Sequence, residues 1–236
     1  MSEDIRLSRR LTELGLVASR READECIEMG FVRVDGETVQ ALGSRISATQ
    51  TITLERSKIQ PPPSRVTLLL NKPAGVANPL PLLQAATRCD KDRSGWAWLS
   101  RCSTHLQEAG WLDADSSGLM VLTQDGALAN RLTRDARDYE QEYLVWVDGG
   151  LDEAALVRLN AIRELDDGPL LPFKASRQGG RQLRLVLREN REYLVHRLLD
   201  EAGLKTQMVK RQRIGRIALG HLEEGQWRYL MMGERF

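Results

Sequence analysis

The residues best placed for chemistry lie in one run, AGWLDADSSGLMVLTQDGALANRL, residues 109–132. Asp113 precedes a small polar turn, Ala114 to Gly118, and the stretch Leu119–Thr123 reads as a buried strand. A carboxylate on a loop between buried strands is held by a rigid scaffold and still reaches a pocket, the placement that acid–base or nucleophilic work requires. From spacing alone, a turn in which Asp113 or Asp115 caps its own loop is the simpler account. Lys72 ends the run VTLLLNK at a Lys-Pro turn, where an ammonium can touch phosphate or sit solvated in a loop. Arg6, Arg9 and Arg10 lie on a first basic helix, and Arg20 and Arg21 open a second. Arginines beside exposed helix N-terminal amides suit phosphate; an ordinary solvated helix face is the alternative.

Other chemistries lack their carriers. The chain has no GxGxxG, Walker loop, GxSxG elbow or HExxH. Cys26, Cys89 and Cys102 are odd in number and far apart, which argues for a reducing compartment rather than a disulfide framework. Cys102 and His105, with Cys89 upstream, fall short of the four ligands of a structural zinc site. The 236 residues, 42% hydrophobic and 28% charged, can bury a core, and wholesale disorder is excluded. No apolar run approaches the ~20 residues of a membrane span. The N-terminus MSEDIRLSRR has no signal-peptide core, so a cytoplasmic location is expected.

The elements that must position these residues fall on two sides of a linker. ERSKIQPPPS, residues 55–64, contains three consecutive prolines and continues neither a helix nor an interior strand. The expected division is 1–58, a linker at 59–64, and a body at 65–236. In the head, Leu7, Leu11 and Leu14 have helical spacing. Ser19-Arg20-Arg21-Glu22 is a capping box, in which the Ser19 hydroxyl takes the Glu22 amide and the Glu22 carboxylate reaches back to the Ser19 amide. The second helix stops at Gly30, and FVRV-Asp35-Gly36-ETV reads as a tight hairpin before a further strand, TITL. In the body, strands are expected at 66–71, 119–123, 142–147 and 182–187. Helices are expected at 127–134, 152–160 and 191–203. Residues 76–108, with Trp96 and Trp98, show no clear period and read as a loop-rich connection.

RLSRRLTELGLVASRREADECIEMGFVRVDGETV resembles the S4-type RNA-binding domain in its basic first helix, SRREA helix start, Gly30 stop and V-x-V-D-G-x-x-V hairpin. The resemblance implies that Arg9, Arg10, Arg20 and Arg21 face structured RNA. G-W-L-D-A-D-S-S-G-L-M-V-L-T-Q-D-G resembles the signature G-R-L-D … T-N-D-G of the ribosomal-RNA pseudouridine synthases that carry an N-terminal S4 domain. NKPAG, QEYLVWV, LDDGPL and the tail from RENREYLVHRLLDEAGL through RIGRIALGHLEEGQWRYL follow the same family, so the similarity spans about residues 5–55 and 65–230.

The resemblance implies an α+β fold: a small S4-type module followed by a mixed, mostly antiparallel sheet flanked by helices, with a cleft across its middle. It makes Asp113 the carboxylate that attacks C6 of a flipped-out uracil or C1′ of its ribose, with no cofactor and no metal. It makes Tyr143 the aromatic that packs against the base, and places Lys72, Trp111 and Arg191 against RNA. The expected partner is structured RNA, ribosomal or its precursor, bound by a monomer without a membrane.

Several positions depart from the family. Trp111 replaces an arginine, Gln141 a basic residue, and the motif E-G-R-x-x-Q-V-R/K-R-M reads Glu189-Asn190-Arg191-Glu192-Tyr193-Leu194-Val195-His196-Arg197-Leu198. The basic partner of the aspartate thus falls on His196; Arg197 can substitute only from about 100° away around a helix. An active synthase and a degenerate RNA-binding relative both remain open. The formal net charge is +1, but residues 177–236 hold 13 basic against seven acidic residues. Lys205, Lys210, Arg211, Arg213 and Arg216 form a basic end suited to phosphates.

Overall fold

The computed structural model describes residues 4–55 and 57–236. They form two compact units, one of residues 4–64 together with 95–102, the other of 65–94 and 103–236. The excursion of 95–102 into the first unit was not expected from the sequence. Gln60 bridges Trp96 there, and the Arg101 guanidinium bonds the carbonyls of Pro62 and Pro63 and the carboxylate of Glu25. Prolines offer carbonyls but no donors, so an arginine from elsewhere in the chain is what ties them down.

In the first unit a short strand β1 (Ile5–Arg6) leads into α1 (Leu7–Glu13) and α2 (Arg20–Glu28). The Ser19 hydroxyl accepts the Glu22 amide at 3.1 Å, and the Glu22 carboxylate accepts the Ala18 amide at 2.8 Å. The hairpin β2 (Val32–Val34) and β3 (Glu37–Thr38) turns through Asp35 and Gly36, both at positive φ as a primed turn demands. Strand β4 (Arg45–Ile46) pairs with β1, and β5 (Ile52–Leu54) pairs with β2. Leu7, Leu11, Ala23, Cys26, Ile27, Val32 and Ile46 close one small core.

The second unit is a nine-stranded sheet with α3 (Gly126–Arg134), α4 (Glu153–Ala161) and α5 (Leu194–Glu201). Its strands are β6 (Thr67–Lys72), β7 (Gln107–Ala109), β8 (Ser117–Thr123), β9 (Gln141–Val147), β12 (Lys174–Arg177), β13 (Gln182–Leu187), β14 (Thr206–Ile214), β15 (Ile217–Ala218) and β16 (Trp227–Tyr229). A separate pair, β10 (Glu164–Leu165) and β11 (Gly168–Pro169), forms a small hairpin. The main order is β12-β13-β9-β14-β8-β6-β16, and every pairing is antiparallel except β14 with β8. Every residue of β8 is buried, and the strand expected at 119–123 begins two residues earlier, inside the expected turn; β9 alternates, burying Gln141, Tyr143, Val145 and Val147. Asp125 and Asp152 cap α3 and α4 by accepting amides of Ala127 and Ala155. The centre of the sheet thus combines the most buried strand, β8, with the parallel junction to β14. The loop that enters β8 carries Asp113.

Candidate active site

The Asp113 loop joins β7 to β8 and is fixed at both ends by glycine. Gly110 has φ +79°, and Gly118, at φ +105°, lies against the backbone of Arg211 in β14. A Cβ on Gly118 would sit 2.3 Å from the Arg211 carbonyl oxygen, so only glycine lets the two strands meet. The Ser116 amide donates to the Asp113 carbonyl at 3.1 Å and closes the turn.

The Asp113 side chain is nine-tenths buried. Its Oδ1 accepts the Trp111 indole N–H at 2.7 Å and the Tyr193 amide at 2.9 Å. Tyr193 is the N-cap of α5 in the left-handed region, φ 52° and ψ 22°, which aims its amide at the carboxylate. A negative group at that helix N-terminus also meets a favourable dipole. Oδ2 accepts no such bond among the described residues; His196 Nδ1 stands 3.8 Å away. His196 Nε2 faces Asp115 Oδ2 at 3.4 Å, so the ring lies between two carboxylates. A neutral imidazole donates through one nitrogen only, and a doubly protonated one through both.

Asp113, Asp115 and His196 bring three potential ligand atoms within 4.8 Å of one another. The cluster is incomplete for zinc, which takes four ligands or three and an open position. Asp113 Oδ1 already holds two N–H donors.

Beneath the loop lies Arg211, with no exposed surface. Its guanidinium donates to the carbonyls of Leu119 (2.8 Å), Trp111 (2.6 Å) and Gly110 (3.4 Å), and to Gln141 Oε1 (3.0 Å). Gln141 Oε1 also accepts the Tyr143 hydroxyl at 2.9 Å. Burial pushes the Tyr143 phenol up, so it remains a neutral donor. Arg211, Gln141 and Tyr143 therefore form one polar chain under the Asp113 loop. Sequence patterning missed Arg211, because four cations crowd residues 210–216 and none is marked as buried.

Three expected site residues are taken up by other protein groups. Lys72 is 1% exposed, and its ammonium donates to the carbonyls of Pro73 (3.0 Å), Val76 (3.2 Å) and Ala114 (2.9 Å). It holds the 73–76 turn to the Asp113 loop and has nothing left for phosphate; burial lowers its affinity for the proton. Arg197 does not substitute for a basic partner of Asp113. It pairs with Asp166 and with Asp167 at 2.6 and 2.9 Å, because one step along α5 points it away from the loop. The pairing holds the Asp167 carboxyl far below the usual carboxylate range. Arg191 pairs with Asp167 (3.0 Å) and Glu189 (2.7 Å) and so orders the β10–β11 hairpin.

Trp111 is 44% exposed beside Asp113. In the first unit Arg9 and Arg10 pair with Glu13, and Arg21 with Glu25, while Arg20 is exposed without an ion pair among the described residues. Of the expected basic end, Arg211 is wholly buried and Arg213 is tied to Glu140 and Glu142. Lys205, Lys210 and Arg216 keep surface exposure.

Comparison with known proteins places this geometry. The RNA pseudouridylate synthase family profile matches residues 66–169, and the S4 domain profile matches residues 5–52. An RNA pseudouridine synthase of Aquifex aeolicus is 34% identical over 98% of this chain and 92% of its own. One from Mycobacterium leprae is 34% identical over 98% of this chain and 90% of its own. The dual-specificity RNA pseudouridine synthase RluF of Escherichia coli is 28% identical over 96% and 75%. A pseudouridylate synthase crystal structure superposes with a TM-score of 0.58, at 26% identity and 96% coverage of both chains. With a buried aspartate at the mouth of a mixed sheet and an S4 module ahead of it, the chain belongs to the RNA pseudouridine synthases.

Proposed function

We propose that Asp113 is the catalytic carboxylate and that the substrate is a uridine in structured RNA, ribosomal or its precursor. The N1–C1′ bond breaks, C5 bonds to C1′, the C5 proton leaves to solvent and N1 takes one up. Composition is conserved, so no cofactor is consumed. The observation that carries this reading is the asymmetry of the carboxylate. Oδ1 is occupied by the Trp111 and Tyr193 N–H groups, which leaves Oδ2 as the attacking oxygen. Fixing one oxygen orients the other, the usual gain from preorganisation.

The departures from the family motifs have compensations in this geometry. Trp111 supplies a hydrogen bond to Asp113 where the family has an arginine, and its ring can fill the space of a flipped base. His196 stands at ion-pair distance from Oδ2 in place of a guanidinium. Gln141 joins Tyr143 to Arg211, and Tyr143 is the aromatic packed toward the base. Leu194 is a buried member of α5. Residues 1–58 serve as the S4 module, with Arg9, Arg10, Arg20 and Arg21 toward RNA; 59–64 is the linker and 65–236 the catalytic body, save 95–102, which belong to the first unit. The enzyme acts as a monomer in the cytoplasm; no helix among the described residues is long and apolar enough to cross a membrane.

The test is tritium release from bulk ribosomal RNA labelled at uridine C5, since the reaction frees that hydrogen. Release by the wild-type chain that Asp113→Ala abolishes supports the assignment. Equal release by both proteins removes Asp113 from the chemistry.

A further inference from the structure

Two adjoining hollows on the second unit, of about 620 and 370 Å³, share Arg137, Leu171 and Arg188 and so form one groove. Its walls are the turn after α3 (residues 133–138), the segment 169–174 after β11, and the end of β13 with its following loop (184–191). Arg134, Arg137 and Lys174 are exposed on these walls and carry no ion pair among the described residues. Arg188 pairs with Glu140 at 3.1 Å, yet its side chain remains 56% exposed. This contrasts with the surrounding sequence, where residues 61–176 hold 12 basic against 16 acidic residues. Three free cations of that acidic stretch thus line one hollow, beside Asp138 and Glu140 of the same walls. Leu171, 41% exposed, gives the groove an apolar patch between them.

The inner end of the groove adjoins the candidate site. Asn190 lines it, and its Nδ2 is buried without a hydrogen-bond partner. That nitrogen lies 4.0 Å from where a Cβ on Gly110 would be, three residues before Asp113. Three residues beyond Asn190, the Tyr193 amide holds the Asp113 carboxylate. A buried donor without a partner destabilises the fold, and a ligand acceptor would relieve that cost.

We infer that this groove is the track for the RNA strand leaving the target uridine, with Arg134, Arg137, Lys174 and Arg188 on its phosphates and the Asn190 amide on the nucleotide nearest the site. The inference rests on the RNA-modifying reading above and adds a surface to it. Unpaired arginines beside an apolar floor hold a phosphodiester strand through charge at the backbone and contact with base faces. A rigid track on the synthase body positions the uridine independently of the S4 module.

The experiment uses the full chain carrying Asp113→Asn, so that binding is read without turnover. The probe is fluorescein-labelled bulk ribosomal RNA cut to about 100 nucleotides, titrated by anisotropy between 50 and 200 mM KCl. Arg134→Gln with Arg137→Gln removes two phosphate contacts and is expected to lower the slope of log Kd against log salt by about 1.4–1.8. Arg177→Gln with Arg181→Gln, exposed cations outside the groove, should leave the slope unchanged. In the active background the groove pair should raise KM with kcat within about twofold. An unchanged slope for the groove pair, or an equal loss in the control pair, overturns the inference. A groove effect in a protein that yields no pseudouridine on any RNA would sink the catalytic reading while leaving the track standing. Asp113-dependent product with no groove effect would do the reverse.

Discussion

Replacing Arg211 with methionine tests whether a single buried cation holds the Asp113 loop. The substitution keeps an unbranched apolar stem and removes the guanidinium, which has no exposed surface. Four acceptors lose their donor: the carbonyls of Leu119, Trp111 and Gly110, and Gln141 Oε1. Gln141 Oε1 keeps the Tyr143 hydroxyl, and each of the three carbonyls left unsatisfied costs about 1 kcal/mol, the low end of the usual range. Removing the desolvated charge returns part of that, so the net loss is about 2 kcal/mol. With a urea dependence of about 3 kcal/mol per molar, the unfolding midpoint falls by roughly 0.7 M. Two of the three carbonyls lie in the stretch Gly110–Asp113, so the carboxylate also loses its orientation. The expected kcat loss, measured by tritium release well below the new midpoint, exceeds tenfold. Arg211→Lys keeps the charge but cannot span four acceptors, and should fall between the two. If Arg211→Met matches wild type in both midpoint and kcat, the loop is held by something else.

Other substitutions probe separate parts of the same construction. Gly118→Ala places a methyl 2.3 Å from the Arg211 carbonyl and at φ +105°; a loss above about 3 kcal/mol should lower the thermal midpoint by at least about 6 °C. Trp111→Phe keeps a flat ring but removes the N–H at 2.7 Å from Asp113, so kcat should drop about tenfold while RNA affinity by anisotropy stays within about twofold. Asp92 concerns acid stability. Burial raises its carboxyl, but hydrogen bonds from Ser94, Arg88 and Tyr229 outweigh this and hold it below the ordinary value. The stability it supplies is therefore complete above about pH 4 and is lost as pH falls through its folded value; Asp92→Asn should show a shallower acid loss in unfolding measured from pH 6 down to 2.

Particular residues show which parts of this molecule were legible from sequence. Strand β8 announced itself through the apolar run Leu119–Thr123, although it starts two residues earlier at Ser117, and β9 through its apolar run, expected at 142–147 and found from Gln141. Ser19 and Asp125 capped the helices they preceded. Strand β14 was hidden: its inward position at 211 is an arginine, and irregular pairing between Arg211 and Arg213 breaks the period of two. The helix expected at 191–203 begins only at Leu194, since Tyr193 turns left-handed to reach Asp113. The path of 95–102 depends on partners near residues 25, 60 and 62 and left no local signal. In the site, the position of Asp113 was readable from its motif, but its partners were not. Lys72 and Arg197 looked free in sequence because the carbonyls and carboxylates that occupy them come from distant turns.

Pseudouridine mapping at single-nucleotide resolution, on ribosomal RNA from cells lacking this protein and complemented with either wild type or Asp113→Asn, reaches the central assignment. Restoration of at least one site by the wild type and none by Asp113→Asn, with both proteins equally folded and equally bound to RNA, is the predicted result. Restoration of the same site by Asp113→Asn would contradict it.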